Sequence, residues 1–390
     1  MTTSAGPYDS TAAWRPPLRI SDPGDLLAAI PAMLGFRPEH SMVLLCLGGG
    51  SGSALGAVLR HDLVADPGAP KSVAREMVAV FEQFAIVSAR EGAASVIAVF
   101  VDENTACAVC ERCTGPHEGA SHCAALRHTP LHAALVARLD EALRARGCSL
   151  IGAHVTPAIA TGHPWWSLLD DPRRGLVPDP DTSPVTTAHV FEGRQIRASR
   201  SDLADLLAGD HTDRRDVAGA LPEVRAASGQ RSGPRSGRGA SVRKKLEFVL
   251  FEIESLASGE EPSAREFAAL ALALEYRRVR DAVMGLAVGD SGAAAEALWL
   301  AMTRVLPHPE RADAATLLGF SAYVRGDGPL AGIAFEAALA ADPEHRLAWL
   351  LDSALQGGIR PDAMRELALG GYEQAAELGV VLPPPTMPRR

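Results

Sequence analysis

Lysine is almost missing from this 390-residue chain: it occurs only at Lys71, Lys244 and Lys245, and arginine supplies nearly all the positive charge. The formal net charge of -9 argues against wholesale coating of nucleic acid or membrane, although it leaves room for a local basic patch. Long apolar runs are missing too, since none approaches the roughly 18 residues that span a bilayer. The first twenty residues lack the basic-then-apolar pattern of a secretory leader, so a soluble, cytoplasmic protein is expected. In that compartment the six cysteines are expected as reduced thiols or metal ligands rather than disulfides. Catalytic signatures are also missing. There is no GxSxG nucleophile elbow, no GxGxxG, no GxxxxGK[ST] and no HExxH.

What is present is a globular composition, with 47% hydrophobic and 22% charged residues. At this length two domains are expected. Residues 1–17, with three prolines and several small polar side chains, read as a disordered tail. Asp22 then offers a helix cap, Pro23 suits the first helical position, and Asp25 adds negative charge to the first turn. Leu26, Leu27, Ile30, Met33 and Leu34 form an apolar stripe at helical spacing. Gly35 can close that helix in a left-handed conformation, and Pro38 prevents its resumption.

Ser41 to Leu47 is a continuous apolar run of strand length. Gly48 to Gly52 turns the chain, and Leu55 to Leu63 alternates as its antiparallel partner. A helix over Lys71–Arg90, a buried strand over Ser95–Val101, a helix over Leu131–Arg146 and a strand over Ser149–Ile159 follow. The alternation predicts an α/β domain with a mixed sheet over residues 18–210.

Residues 211–245 read as a basic linker. Gly, Ser, Ala and Pro interleave with Arg225, Arg231, Arg235, Arg238, Arg243, Lys244 and Lys245. A solvated tether is the main expectation. Binding of an acidic partner or nucleic acid is the alternative, weakened by the lack of interleaved aromatics for base stacking. Residues 246–380 look helical throughout, and 381–390 form a proline-rich tail. Glu310 to Pro343 has the roughly 34-residue length of a tetratricopeptide repeat, with Leu318-Gly319, Ala331, Phe335, Ala338 and Pro343 in matching places. Trp349 falls where the next repeat would carry an aromatic. Because one repeat cannot bury its own face, an array of about five to seven helices is expected.

The chemistry-bearing residues fall into three groups. Cys107, Cys110, Cys113, His117, His122 and Cys123 cluster between a strand and a helix, and Cys110-x2-Cys113 is a standard zinc half-site. The second half is spaced more tightly than in common zinc fingers, so structural zinc and free thiols both stand as readings. His128 and His132 are read as ordinary helix-surface residues. Glycines at Gly48–Gly56 follow a strand, but a strand rather than a helix comes next, so a hairpin turn is favoured over a phosphate loop. In HPWWSLLDDPRRG, Trp165 and Trp166 either rim a ligand site or cover the sheet edge. Arg60 and Asp62 share one face of the second strand and complete the ligand-binding candidates. Asp102-Glu103, adjacent on a strand, point to opposite faces and cannot work together as an acid/base pair. No catalytic residue emerges.

DLLAAIPAMLGFRPEHSMVLLCL with LRHDL, then WWSLLDD, then GRQIRASRSDLADLL resemble the DUF4192 family of actinobacterial proteins of unknown function. The helical stretch YVRGDGPLAGIAFEAALAADPEHRLAWLLDSAL is similar to that family's C-terminal part. The resemblance implies an actinobacterial origin and a two-domain layout, and supplies no activity. Family members often carry cysteines shortly after the Trp-Ser pair, where this chain has Leu169, Arg173 and Arg174. Two functions are therefore weighed. One is a non-enzymatic adaptor or regulatory protein that binds a protein partner through its helical repeats. The other is a small-ligand-binding protein or enzyme using the α/β domain near Arg60, Asp62 and Trp165.

Overall fold

The computed structural model describes residue 20 and residues 22–48, 54–64, 75–105, 130–169, 173–191, 196–231 and 238–385. Helix α1 (Pro23–Leu34) starts at Asp22, whose Oδ1 accepts from the Gly24 N–H at 2.7 Å, and ends at Gly35 with φ of 74°. Strands β1 (Ser41–Gly48) and β2 (Ala54–Asp62) follow, then α2 (Arg75–Arg90), β3 (Ser95–Val101), α3 (Pro130–Arg144) and β4 (Ser149–Thr156). Two short strands, β5 (Pro164–Ser167) and β6 (Arg174–Leu176), and two helices, α4 (Pro184–Phe191) and α5 (Arg200–Asp205), close this half. The sheet order is β2-β1-β3-β4-β5-β6. Only β3 and β4 run parallel among the described strands, and every other neighbouring pair is antiparallel. A mixed sheet follows, as the alternation predicted.

The continuous apolar strands have a structural cause: both faces of the sheet are covered. On one face, Met42, Leu44, Phe100 and Val155 pack under Met77, Phe81 and Phe84 of α2 and Leu135 and Leu139 of α3. On the other, Val43, Leu45, Val99 and Val101 pack under Leu27, Ile30 and Leu34 of α1. This second core continues without a break into the helical half.

That half consists of α6 (His211–Arg231), α7 (Arg238–Ala257), α8 (Ala264–Leu274), α9 (Arg277–Val283), α10 (Gly292–Val305), α11 (Arg311–Arg325), α12 (Gly328–Ala341), α13 (Arg346–Gln356) and α14 (Pro361–Glu377). From α7 onward this makes eight α-helices among the described residues, more than the five to seven expected. The sharpest correction concerns the basic linker, which is helical over 211–231 and from 238. Val217, Leu221 and Val224 are buried at spacings of four and three, one helical face, and α6 packs on α8. Arginine-rich composition masked that stripe. Arg225 points outward, its Nη2 donating to Glu275 Oε1 at 2.7 Å.

Residues 381–385, expected as the start of a proline-rich tail, pack against the helical half. Leu382 is buried, and Pro385 forms an antiparallel bridge with Gly289. The two halves touch where α2 ends. Gln83 Nε2 donates to Gln356 O at 2.7 Å, Arg90 Nη1 to Gly357 O at 2.8 Å, and Arg360 Nε to Glu91 Oε1 at 3.0 Å. Among the described residues no helix is long and apolar enough to cross a membrane.

Candidate functional site

The sheet end at the carboxyl side of β3 gathers titratable groups from three elements. Asp102 directly follows β3, and its N–H donates to Thr156 O at 3.0 Å, which fixes the backbone beside the parallel neighbour β4. Its buried carboxylate faces two imidazoles: Oδ2 lies 3.3 Å from His132 Nε2, and Oδ1 lies 3.7 Å from His40 Nδ1. His132 sits in the first turn of α3, with its ring edge-on to Phe100 at 5.9 Å between centroids. His40 precedes β1 with φ of 42°, an uncommon left-handed conformation for a residue other than glycine. Its carbonyl accepts from the Leu63 N–H at 2.8 Å, which holds the turn against β2. In α/β sheets ligands collect outside the carboxyl ends of parallel strands, and this is that end. A carboxylate between imidazoles orients the rings and can hold a proton. The side chain of His40, 44% exposed, connects the cluster to solvent.

None of the three was singled out from the sequence. His132 was read as a surface residue, yet it is 1% exposed, because the apolar face of α3 turns inward at that position. Asp102 was judged unable to work with Glu103. That reading set both on a strand, but β3 ends at Val101, before either of them, and Asp102 faces histidines. The legible signal was modest: an acid immediately after a buried strand, and a histidine at the start of the returning helix.

The ligand candidates named from the sequence do not converge. Arg60 Nη2 pairs with Asp62 Oδ1, Arg60 Nε donates to Ser41 Oγ at 3.0 Å, and the guanidinium lies 5.7 Å from the Phe36 ring centroid. Burial pushes the Arg60 pKa below its ordinary value. The Arg60–Ser41 hydrogen bond ties the edge strand to β1. Three strands separate β2 from β5, about 19 Å at usual strand spacing, so Arg60 and Trp165 cannot line one pocket.

Trp165 is 4% exposed, edge-on to His154 at 5.4 Å, and it belongs to the core beneath α1. Glycines leave room for it: a Cβ at Gly24 or Gly175 would come within 3.1 Å or 2.9 Å of the indole nitrogen. Trp166, half-buried, packs against the core on the opposite face, as alternation along a strand requires. The expected Cys107, Cys110, Cys113, His117, His122 and Cys123 cluster lies outside the described residues, as does His128. Among the described residues no group of three or more His, Cys, Asp and Glu is arranged to hold a metal ion.

A second candidate lies in the helical half. A cavity of about 730 Å³ opens between α10, α11 and α14, with Pro385 at its edge. Gly292, Ala293 and Ala297 of α10 keep one wall low, while Leu300, Val324 and Leu369 make it apolar. Glu296, Arg325 and Arg365 supply charge. Arg325 Nη2 donates to Glu296 Oε1 at 2.9 Å and to Asp327 Oδ2 at 3.3 Å. Burial pushes the Glu296 carboxyl above the ordinary range, partly offset by Arg325. Arg325 also lines a smaller cavity of about 210 Å³ that reaches α1 and α5.

A family model described as a domain of unknown function, DUF4192, matches residues 23–362. No curated protein and no solved structure matches the chain.

Proposed function

We propose that this chain, which belongs to the DUF4192 family, is a cytoplasmic, non-enzymatic adaptor or regulatory protein that takes a protein partner on its helical half. The observation carrying this reading is the cavity of about 730 Å³ between α10, α11 and α14. Its low wall of glycine and alanine allows another backbone to come close, and its apolar lining with a few charges suits an apolar peptide segment. The tetratricopeptide-like spacing of the sequence supports the reading, since arrays of that kind present concave surfaces to partners. In the pair α11 and α12, Gly319 lies against the Phe335 ring, where a Cβ would come within 2.5 Å. The test is capture from native lysate with the full chain and with Ala293→Trp plus Ala297→Trp, which fills the groove. A stable partner lost in the variant supports the adaptor. An identical set of captured proteins, or none with the full chain, overturns it.

One observation favours a second reading, in which the α/β half binds or transforms a small ligand: the Asp102 carboxylate flanked by His132 and His40 at 3.3 Å and 3.7 Å. Screening a metabolite panel by thermal shift against the full chain and His40→Asn checks it. A ligand that stabilises only the full chain would place chemistry at this end of the sheet. Zinc at Cys107–Cys123 is a further part of this reading. Substoichiometric metal in the purified chain, unchanged by Cys110→Ser, would remove it.

A further inference from the structure

The smaller cavity, of about 210 Å³, lies on the seam between the two halves. The end of α1, the approach to α5 and the turn from α11 into α12 enclose it. Leu34, Leu203 and Leu330 are buried there, and Met33 and Leu206 pack partly buried against the same core. Its sides are therefore apolar. A cavity lined from two halves of a chain is a usual place for a small-molecule site.

One polar side chain in this cavity has no structural use. The backbone of Arg197 is held on both sides: its N–H donates to Gly35 O at 2.8 Å, and its O accepts from the Arg37 N–H at 3.2 Å. Its guanidinium has no acceptor among the described residues, although the residue is partly buried. Other arginines withdrawn from solvent to this degree are engaged. Arg37, Arg60, Arg200, Arg280 and Arg365 each meet a carboxylate. Arg214 and Arg311 donate to backbone carbonyls instead.

The remaining charges of the cavity do not answer Arg197. Asp327 is its only lining carboxylate, and both oxygens are committed. Oδ1 accepts from the Leu330 N–H at 3.1 Å, and Oδ2 accepts from Arg325 Nη2 at 3.3 Å. Arg325 in turn donates to Glu296 Oε1 at 2.9 Å. Arg197 is thus the cation left over, with apolar walls beside it.

We propose that this seam cavity binds a small aliphatic monocarboxylate, with Arg197 taking the carboxylate and Met33, Leu203, Leu206 and Leu330 the hydrocarbon part. The planar guanidinium fork matches a carboxylate with two parallel hydrogen bonds. The volume equals that of about seven waters at roughly 30 Å³ each, which limits the ligand to a short chain. Asp327 in the same cavity repels the second negative charge of a phosphate dianion, so a single carboxylate fits better. The site shares no residue with the Asp102 cluster. Because both halves line it, an occupant strengthens their contact.

Isothermal titration calorimetry of the full chain with butyrate and hexanoate tests this, with far-UV circular dichroism confirming that each variant is folded. The expected result is saturable binding of one carboxylate per chain. Arg197→Met keeps much of the apolar stem and should weaken binding about tenfold or more. Arg197→Lys, which keeps the charge without the fork, should fall between the two. The neutral 1-hexanol should bind at least about tenfold more weakly than hexanoate. Absence of saturable binding with both carboxylates overturns the proposal. So does binding unchanged by Arg197→Met, or inorganic phosphate binding more tightly than either carboxylate.

Discussion

Asp313 in the helical half and Asp102 at the sheet end each face an imidazole, yet their clusters differ in one respect that matters for function. Asp313 Oδ1 accepts from Arg280 Nη1 at 2.6 Å and from His345 Nε2 at 3.0 Å. His345 spends its other nitrogen as a cap, Nδ1 accepting from the Ala348 N–H at 3.2 Å at the start of α13. The side chains of Asp313, Arg280 and His345 are 18%, 19% and 10% exposed. This cluster is closed, and it locks α9, α11 and α13 together. At the sheet end Asp102 and His132 are buried more deeply still, with side chains 8% and 1% exposed, but His40 opens to solvent at 44%. A buried acid with a histidine is therefore no sign of function by itself. What distinguishes a candidate site is whether one member of the cluster reaches water.

The largest expected effect comes from breaking the closed cluster. Arg280→Met leaves the Asp313 carboxylate without its main cation, and stability measured by urea unfolding should fall by about 3 kcal/mol. A loss below about 1 kcal/mol would show that His345 alone suffices, and the contrast would weaken.

A smaller effect concerns acid. Burial raises the Asp313 carboxyl, but hydrogen bonds from His345 and Arg280 and the charge of Arg280 outweigh it and hold it below the ordinary range. A carboxyl depressed in the folded state adds stability above its unfolded value of about 3.9 and loses that contribution as pH falls through the folded one. Unfolding measured at stepped pH should therefore show a shallower decline below about pH 4 in Asp313→Asn than in the parent chain.

The smallest effect is expected at the open cluster. His40→Asn, which tolerates the left-handed backbone, should change stability by no more than about 0.5 kcal/mol. A cost as large as that of Arg280→Met would make the sheet-end cluster structural too, and the comparison would collapse.

Much of the architecture was legible in local pattern. The cap at Asp22, the stop at Gly35, the buried run Ser41–Leu47 and the β1–β2 pairing all rest on residues close in sequence, where spacing and backbone preference decide. The helix at 211–231 was missed because Gly219, Pro222, Ser228, Gly229 and its arginines read as linker, although Val217, Leu221 and Val224 carried the helical stripe. The Trp165-Trp166 pair was read as a rim or an edge cover. Whether a tryptophan lies in a pocket or in a core depends on Gly24 and Gly175, which come from other elements and leave the ring its space.

The chain's own pattern determined an α/β half followed by helices, since hydrophobic periodicity is written in neighbours a few residues apart. The candidate sites belong to the tertiary structure. Strand order set three strands between Arg60 and Trp165. The crossover through α3 brought His132 to Asp102, and the turn before β1 added His40. Helix packing opened the groove beside Ala293 and the cavity beside Arg197. Each of these depends on contacts between residues far apart in the chain, set by how buried faces fit together, and no local spacing encodes that fit.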